Sequence, residues 1–478
     1  MSPAQGRSAA ERLASAVKTY DVRGLVDIDL TDDIVEAVGA AFVDEVGAAG
    51  RDVVVGHDMR DSSPRFAAAF ARGARARGGD VVMIGLCSTD ENYFASGTLP
   101  ADAAMFTASH NPATYNGIKL SRAGAQSLSL DTGLAAIRDR AIGYLEDGIR
   151  PVENPGTERE LDVLADYAAT LRRLVPLEGI RPLRVVIDAG NGMGGMTAPA
   201  VLGEAAGLPA LPIEIIPMYF ELDGTFPNHE ANPLDPANLV DLQNAVREHG
   251  ADAGLAFDGD ADRCFVVDEN GDAVSPSAVT AIVAAREIDR ERAKGVTGEI
   301  QVLHNLITSR FVPELIEQQG AVPVRTRVGH SLIKAEMRQS GAIFGGEHSA
   351  HYYFRDFWGA DNGMLAAMHV LAELGSQHAP LSEFASAFSP YAQSGEINST
   401  VTDVPAAYAR IVEAYQGRAE FDEFDGLTGT GITSLGEAFW WFNVRPSNTE
   451  PLLRLNVEGE DAATMASIRD EVLALIRA

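Results

Sequence analysis

Residues 53–84 read VVVGHDMRDSSPRFAAAFARGARARGGDVVMI, which is the pattern of a β-strand, a helix and a second β-strand. The three valines at 53–55 favour an extended backbone, because side chains branched at Cβ pack well on a pleated surface. Ser62, Ser63 and Pro64 then supply a helix cap and a first-turn proline ahead of the Ala- and Phe-rich stretch 65–72. A second apolar strand at 81–84 completes the alternation, which predicts α/β layering.

The same alternation continues along the chain and then changes. Further strands are predicted at 183–187, 213–216, 254–257, 300–303, 321–324 and 342–344, with a helix at 361–374. After Ser389-Pro390 the pattern becomes α+β, with strands at 396–401, 439–444 and 452–457 and a closing helix at 462–476. The predicted fold class is α/β, with three sequential mixed α/β domains plus a C-terminal α+β domain. The predicted domains are 1–150, 151–272, 273–388 and 389–478.

The composition limits the classes of function. Lys and Arg total 38 against 68 Asp and Glu, a formal net charge of −30, which argues against a nucleic-acid or anionic-membrane surface. The negative net charge does not exclude an anionic sugar phosphate as a ligand, because carboxylates more than about 8 Å away are screened at physiological salt. Cys87 and Cys264 are too few for a disulfide framework. With no apolar stretch long enough to span a membrane, the chain is predicted to be cytoplasmic and to bind neither nucleic acid nor membrane.

Three aspartates follow one of the predicted strands. Asp258, Asp260 and Asp262 alternate along the chain, and in an extended segment alternate side chains project the same way. Three carboxylates can therefore converge on one hard cation, for which magnesium is the natural choice. The competing interpretation is an EF-hand calcium loop, because Glu269 falls at its twelfth position. That loop needs glycine at the sixth position, where this chain has Arg263.

A serine is displayed on the polar turn Thr107-Ala108-Ser109-His110-Asn111-Pro112, directly after an apolar run. By itself this is weak evidence for catalysis, because serine is common in an Asn-Pro turn. Neighbouring side chains normally point apart, so the adjacency of His110 predicts no Ser–His pair. Lys119 follows closely enough to reach the same pocket, although a lone lysine there is also typical of a solvated strand end.

Gly190, Gly192 and Gly195 follow a strand in the spacing G-x-G-x-x-G, with Glu214 on the next strand where a ribose would be bound. This pattern keeps a dinucleotide site open as an alternative. Asp188 argues against it, because its carboxylate stands where a pyrophosphate would approach. A structural turn is the favoured interpretation.

Two further polar loops lie in the second half of the chain. Glu347, Ser349 and His351 take alternate positions, which suits binding to sugar hydroxyls, although a solvated loop edge has the same pattern. The loop 445–449 combines a guanidinium with hydroxyls and backbone amides, as a phosphate site requires, and a capped hairpin turn is its structural alternative. A hydroxyl, a cation site and a phosphate clamp together predict phosphoryl transfer.

These motifs, in this order, resemble the α-D-phosphohexomutase family, and most of all its bacterial phosphomannomutase/phosphoglucomutase branch. The resemblance is collinear over nearly the whole chain. It implies four domains around a central active-site cleft, contributing in chain order a phosphoserine, a metal-binding, a sugar-binding and a phosphate-binding loop. It is carried by Tyr20-Asp21-Val22-Arg23-Gly24, residues 107–112, Lys119, Asp223-Gly224-Thr225-Phe226-Pro227-Asn228-His229, residues 258–263, Gly329-His330-Ser331, residues 346–351 and residues 445–449.

The resemblance also implies a role for each site residue. Ser109 would carry the phosphoryl group and, when phosphorylated, would share a magnesium ion with Asp258, Asp260 and Asp262. Arg23, Lys119 and His330 would complete the catalytic set, with Lys119 or His330 as candidates for proton transfer. Substrate would be bound by Tyr20, Arg263, Glu347, Ser349, His351, Arg445, Ser447, Asn448 and Thr449.

The implied reaction interconverts mannose 6-phosphate and mannose 1-phosphate through phosphoserine and a hexose 1,6-bisphosphate, which would also be the activator. Mannose is favoured because residues 350–356 look most like those of bacterial phosphomannomutases, although Ala350 and His348 depart from the residues common in the family. Glucose and mannose differ only at C2, so a phosphoglucomutase or a dual-specificity enzyme stays open. A phosphoglucosamine mutase and a non-catalytic sugar-phosphate binding protein are disfavoured. The expected partners are hexose phosphates, and the expected protein is a monomer or homodimer.

Overall fold

The computed structural model describes residues 6–432, 438–446 and 452–478, and at 330 and 331 it describes the backbone only. Within these residues four β-sheets follow one another along the chain. The first three are mixed sheets with helices against them, and the fourth is antiparallel. The predicted fold class, three mixed α/β domains and a C-terminal α+β domain, is therefore confirmed.

The first sheet has seven strands in the order β1-β5-β4-β2-β3-β7, with β6 on β5. β2 runs parallel to β3 and β4, whereas β5 is antiparallel to β1 and β4. The strand, helix and strand predicted from residues 53–84 are β2, α3 and β3. The elements are α1 (Ala9–Ala16), β1 (Val22–Leu25), α2 (Asp32–Val46), β2 (Asp52–His57), α3 (Ser63–Ala76), β3 (Asp80–Leu86), α4 (Thr89–Thr98), β4 (Asp102–Phe106), β5 (Tyr115–Arg122), β6 (Gln126–Ser127), a 3₁₀ helix (Leu130–Thr132), α5 (Leu134–Asp147) and β7 (Glu158–Glu160).

The second and third sheets have five strands each, in the orders β12-β11-β10-β8-β9 and β14-β13-β15-β16-β17. The second domain contains α6 (Leu164–Leu174), β8 (Leu183–Asp188), α7 (Gly194–Val201), β9 (Ile213–Met218), a 3₁₀ helix (Pro236–Leu239), α8 (Val240–His249), β10 (Ala253–Phe257), β11 (Cys264–Asp268) and β12 (Ala273–Val274). The third contains α9 (Pro276–Ala293), β13 (Gln301–Asn305), α10 (Phe311–Gln318), β14 (Val322–Thr326), α11 (His330–Ser340), β15 (Phe344–Gly346), β16 (Tyr352–Phe354), a 3₁₀ helix (Arg355–Phe357), β17 (Ala360–Asp361), α12 (Gly363–Ser376) and α13 (Leu381–Ser386).

The fourth sheet has six strands in the order β18-β23-β22-β21-β20, with β19 on β23. Its elements are β18 (Ala392–Gln393), β19 (Ile397–Thr400), α14 (Val404–Ala414), β20 (Ala419–Asp422), β21 (Leu427–Gly431), β22 (Trp440–Pro446), β23 (Leu452–Gly459) and α15 (Ala462–Arg477). The predicted boundaries near residues 150, 272 and 388 stay predictions; β7 lies beyond residue 150 and pairs with β3 of the first sheet.

The apolar core is divided unequally among the domains. One continuous cluster of buried residues runs through the first three domains and includes Phe94, Val185 and Phe344. The C-terminal domain has its own core, which includes Phe442. The three loops contributed by the first three domains are therefore held on one packed body. Among the described residues, no helix is both long and apolar enough to cross a membrane.

Candidate active site

Ser109 lies on the loop between β4 and β5, with only 6% of its surface exposed. Its hydroxyl donates to Asp258 Oδ2 at 2.8 Å and lies 3.2 Å from His110 Nδ1. The prediction that His110 would point away is wrong. Side chains alternate in direction along an extended segment, but Ser109 has a left-handed backbone with φ of 50°, which breaks that alternation. Burial and the nearby Arg263 hold the pKa of His110 well below its usual value.

The three aspartates lie on the turn that joins the antiparallel strands β10 and β11. All three are buried, and one carboxylate oxygen from each lies within 4.8 Å of the others. The turn, rather than an extended segment, brings them together, since Ala261 between the last two is left-handed with φ of 61°. The strands that flank the turn also exclude an EF-hand, which is flanked by helices.

Two cations face this acidic cluster. Lys119 Nζ lies 2.6 Å from Asp260 Oδ2 and 2.6 Å from Asp262 Oδ2, and Arg263 Nη2 lies 2.9 Å from Asp258 Oδ2. Burial alone would lower the pKa of Lys119, but Asp260 and Asp262 hold it well above its usual value. Burial raises the pKa of Asp258 to about 7, although Arg263 opposes that shift.

The acidic cluster fits a divalent cation on two further observations. Asp260 Oδ1 and Asp262 Oδ1 are buried and have no hydrogen-bond partner within the described part of the chain, so a ligand would satisfy oxygens whose burial is otherwise costly. The cluster also sets three carboxylates against two cations, Lys119 and Arg263, so it has a net negative charge once Asp258 is deprotonated. Hard oxygen donors of this kind are the ligands that magnesium prefers.

Arg23 and Tyr20 bring the start of the first domain to the same cleft. Arg23, on β1, donates from Nη1 to Asn111 Oδ1 at 2.6 Å. It therefore contacts the loop of residues 107–112 that carries Ser109, the serine loop. Tyr20 faces the third domain, because a Cβ atom at Gly329 would lie 3.0 Å from the Tyr20 hydroxyl oxygen. α11 begins at the next residue, His330, whose side chain lies outside the described part of the structure.

The predicted sugar-binding residues lie on the turn between β15 and β16. Ser349 Oγ and His351 Nδ1 are 3.1 Å apart, and both side chains are partly exposed. Glu347 is 1% exposed, and Tyr353 Oη donates to its carboxylate at 2.5 Å. The three are therefore close together but unequal in exposure. His351 also has a ring nitrogen within 4.8 Å of carboxylate oxygens of Asp262 and Asp361, which places the sugar loop against the aspartate loop.

In the C-terminal domain the described part of the predicted phosphate clamp is Arg445, on β22. It is 7% exposed, and its Nη2 lies 3.0 Å from Glu396 Oε2. Arg454 pairs with the same carboxylate from the opposite strand at 3.3 Å. Burial lowers the pKa of Arg445, while Glu396 and, more weakly, Glu347 act to raise it. Ser447, Asn448 and Thr449 lie outside the described residues.

The G-x-G-x-x-G segment has a structural explanation. Asp188 accepts a hydrogen bond from Gly190 N at 2.8 Å, so its carboxylate holds the turn itself. A Cβ atom at Gly192 would lie 2.7 Å from the backbone oxygen of Gly259, and glycine is therefore needed for the turn to pack against the aspartate loop. Glu214 is exposed to solvent. These contacts favour the structural turn over the dinucleotide site.

The sequence did not predict a place at the site for three residues that the structure brings there. His110 contacts Ser109, Thr89 Oγ1 donates to Asp260 Oδ2 at 2.5 Å, and Asp361 stands beside Asp262 and His351. The signals for Thr89 and Asp361 were those of helix starts, because polar residues precede apolar periodic stretches at both positions. Only the meeting of α4, β17 and the aspartate turn gives these residues a place at the site.

Four family models match the chain in sequence, and together they span most of its length. Phosphoglucomutase/phosphomannomutase alpha/beta/alpha domains I, II and III match residues 14–142, 165–271 and 276–391. The C-terminal domain of the same family matches residues 396–475. The order of the matches is the order of the four sheets.

Full-length relatives give the same result. The chain is 38% identical over 467 residues to a protein of Xanthomonas campestris named "Phosphohexose mutases", covering 97% of this chain and 99% of the relative. It is 38% identical over 467 residues to an Escherichia coli "Phosphomannomutase", covering 96% and 98%. Among solved structures, a phosphoglucomutase/phosphomannomutase family protein from Burkholderia thailandensis has a TM-score of 0.84 at 28% identity, covering 98% of this chain and 97% of that one.

Proposed function

The chain belongs to the phosphoglucomutase/phosphomannomutase family, and from that premise we propose that it interconverts mannose 6-phosphate and mannose 1-phosphate. The single observation that carries the proposal is the buried contact between Ser109 Oγ and Asp258 Oδ2, 2.8 Å long, inside a cluster of three aspartates, one lysine and one arginine. A hydroxyl beside a divalent-cation site is what a phosphoryl carrier needs.

In the proposed cycle phospho-Ser109 transfers its phosphoryl group to the free hydroxyl of the hexose phosphate. The sugar oxygen forms the new bond to phosphorus, the bond from phosphorus to Ser109 Oγ breaks, and a proton passes overall from the sugar hydroxyl to the serine oxygen. The resulting hexose 1,6-bisphosphate then reorients within the cleft. Its other phosphate is transferred back to Ser109. The same bisphosphate would phosphorylate enzyme that has lost its phosphoryl group.

Electrostatics are the main task of the surrounding residues. Two unit negative charges 4 Å apart repel by about 4 kcal/mol at an effective dielectric constant of about 20, and phosphoserine and substrate each carry more than one. Lys119 and Arg263 from this chain oppose that repulsion beside Ser109, and Arg23 does so from β1. Asp258, Asp260 and Asp262 would hold magnesium, which when bound stabilises the charge on the transferring phosphoryl group.

The remaining residues are proposed to orient the sugar. Glu347, Ser349 and His351 would accept or donate hydrogen bonds to its hydroxyls, and Arg445 with Ser447, Asn448 and Thr449 would bind the phosphate that is not reacting. One clamp has to bind the 6-phosphate in one half of the cycle and the 1-phosphate in the other. Either Lys119 or His330 is proposed to transfer the proton. A cytoplasmic location and a monomeric or homodimeric state complete the proposal.

The preference for mannose is tested by a coupled mutase assay with magnesium and a trace of hexose 1,6-bisphosphate. We expect kcat/KM for mannose 1-phosphate to exceed that for glucose 1-phosphate. Comparable values would replace the proposal by a dual-specificity enzyme, and a preference for glucose would replace it by a phosphoglucomutase. If neither sugar phosphate is converted, the chain is neither a phosphomannomutase nor a phosphoglucomutase. That result would favour a phosphoglucosamine mutase or a non-catalytic binding protein.

Replacing Arg445 with alanine is expected to raise KM for both mannose phosphates by about 10- to 100-fold, because each would lose a charge-assisted hydrogen bond to its non-reacting phosphate. The measurement is steady-state kinetics in both directions, with Arg469→Ala as the control, since the partly exposed Arg469 on α15 pairs only with its neighbour Asp470 among the described residues. An unchanged KM in either direction would remove Arg445 from a clamp that serves both ends of the sugar.

A further inference from the structure

Arg60 is a buried arginine behind the serine loop, and no step of the proposed cycle uses it. Only 1% of the residue is exposed. Its Nη2 donates to the backbone oxygens of Ser109 at 2.8 Å and Asn111 at 2.7 Å. Its Nη1 donates to the backbone oxygens of Pro112 at 2.9 Å and Tyr115 at 3.1 Å. One guanidinium therefore holds four carbonyl groups of the segment that carries the reactive serine.

The fifth N–H of this guanidinium is also used. Arg60 Nε donates to Asp58 Oδ2 at 3.2 Å, and the other oxygen of Asp58 accepts from Arg60 N at 3.0 Å and from Ser63 Oγ at 2.6 Å. An arginine has five N–H donors in a rigid plane and no acceptor. All five therefore have partners, and among the described residues the charged group that they contact is the fully buried Asp58. Such an arrangement fixes the carbonyls in direction as well as in distance.

The second domain covers Arg60 with the segment 223–229, a motif that the resemblance includes and for which the proposed cycle has no role. The ring of Phe226 lies over the guanidinium, 5.0 Å from its carbon to the ring centroid. A Cβ atom at Gly224 would lie 2.6 Å from Arg60 Cα, so only glycine allows this approach. Asp223 accepts from Thr225 N at 2.8 Å and stabilises the turn that presents Phe226.

We propose that Arg60 is the positioning residue of the serine loop and that the segment 223–229 holds Arg60 in place from the second domain. This inference rests on the proposed role of Ser109 as phosphoryl carrier. Ser109 has a left-handed backbone, a conformation that costs a non-glycine residue free energy and persists only where the surroundings impose it. The four carbonyl contacts are that constraint. These contacts direct Ser109 Oγ toward the aspartate loop, and Arg60 itself does not touch the substrate.

The consequence for the reaction follows from how steeply transfer depends on geometry. A displacement of about 1 Å at a reacting group lowers a rate about 100-fold. Lysine at position 60 keeps the positive charge but offers three N–H donors from one point, so it cannot hold four carbonyls and Asp58 together. Arg60→Lys should therefore allow the loop to relax while the charge next to it is kept.

The experiment follows transfer from purified phosphoenzyme to mannose 1-phosphate in a single turnover, with each rate normalised to the phosphorylated fraction measured by intact mass. Arg60→Lys is expected to lower the maximal rate constant about 100-fold, with little change in the concentration of mannose 1-phosphate that gives half of that maximal rate. Phe226→Ala leaves Arg60 itself intact and is expected to lower the rate constant about tenfold by releasing the guanidinium. Arg65→Lys, at an arginine that is 41% exposed on α3, is the matched control and is expected to behave as wild type.

Dividing each rate by the phosphorylated fraction distinguishes a loss of correctly positioned Ser109 from a loss of folded protein. A merely structural role would reduce the phosphorylated fraction and leave the rate constant per phosphorylated site unchanged, and that result would overturn the proposal. If Arg60→Lys fails to fold, Phe226→Ala decides, and a wild-type rate constant for that variant would overturn the proposal as well. A wild-type rate for Arg60→Lys together with an inactive Ser109→Ala would remove only the positioning role, whereas an active Ser109→Ala would remove the proposed function.

Discussion

Replacement of Ser109 by alanine is expected to lower mutase kcat by on the order of 10⁴-fold or more, because the nucleophile that carries the phosphoryl group is lost. The fold should tolerate the change. Asp258 Oδ2, which the hydroxyl contacts, also accepts from Arg263 Nε at 3.0 Å, so removal of the hydroxyl leaves this buried carboxylate paired. The melting temperature should therefore stay close to that of the wild type, and binding of hexose phosphate should persist.

The measurement combines the coupled assay with intact mass after incubation with hexose 1,6-bisphosphate. Wild-type protein should gain one phosphoryl group and Ser109→Ala none. Ser376→Ala removes an exposed hydroxyl that bonds only within its own helix among the described residues, and it should keep both activity and phosphorylation. Activity of Ser109→Ala at the wild-type level, or phosphorylation of the variant, would exclude Ser109 as the carrier.

Replacement of Asp260 by asparagine should have the second largest effect. The side chain keeps its shape but loses the charge of a carboxylate whose Oδ1 has no partner among the described residues. One unit charge at about 4 Å and an effective dielectric constant of about 20 is worth about 4 kcal/mol, which corresponds to about 1000-fold in an equilibrium constant. We therefore expect magnesium affinity to fall by about 100- to 1000-fold, and activity at a fixed magnesium concentration to fall with it.

Titration calorimetry with magnesium chloride measures the affinity, and the mutase assay with and without a chelator measures the dependence of activity on the ion. Asp289→Asn makes the same change of charge on the exposed face of α9 and should leave both quantities unchanged. Wild-type activity that resists the chelator would contradict the magnesium site. Unchanged affinity in Asp260→Asn would remove Asp260 from it.

Some of the fold and the site could be predicted because their signals are local. The strand, helix and strand of β2, α3 and β3 follow from branched residues, a cap and a first-turn proline that lie within one stretch of 32 residues. The three aspartates could be identified as a candidate metal site because they lie within five positions of one another. Their convergence was explained incorrectly, however, since an extended segment was expected and a turn with left-handed Ala261 was found.

Other features depend on contacts between residues far apart in the chain. Ser109 and Asp258 are 149 positions apart, and Lys119 reaches Asp260 across 141 positions. Neither contact has a local signal, because it exists only when the first and second domains pack on one shared core. The contact between Ser109 and His110 was not expected, because the side chains of neighbouring residues normally point apart, and it occurs because the backbone of Ser109 is left-handed.

The sequence by itself determined the order of the elements, the fold class and the loops that carry the chemistry, because strand and helix patterns and polar turns are written in consecutive residues. Only the tertiary structure decided which of those loops meet, and it showed that Arg60 holds the serine loop through four backbone carbonyls. Every residue has the same backbone carbonyl, so no pattern of side chains predicts which carbonyls Arg60 will contact. Their common direction is a product of packing between domains.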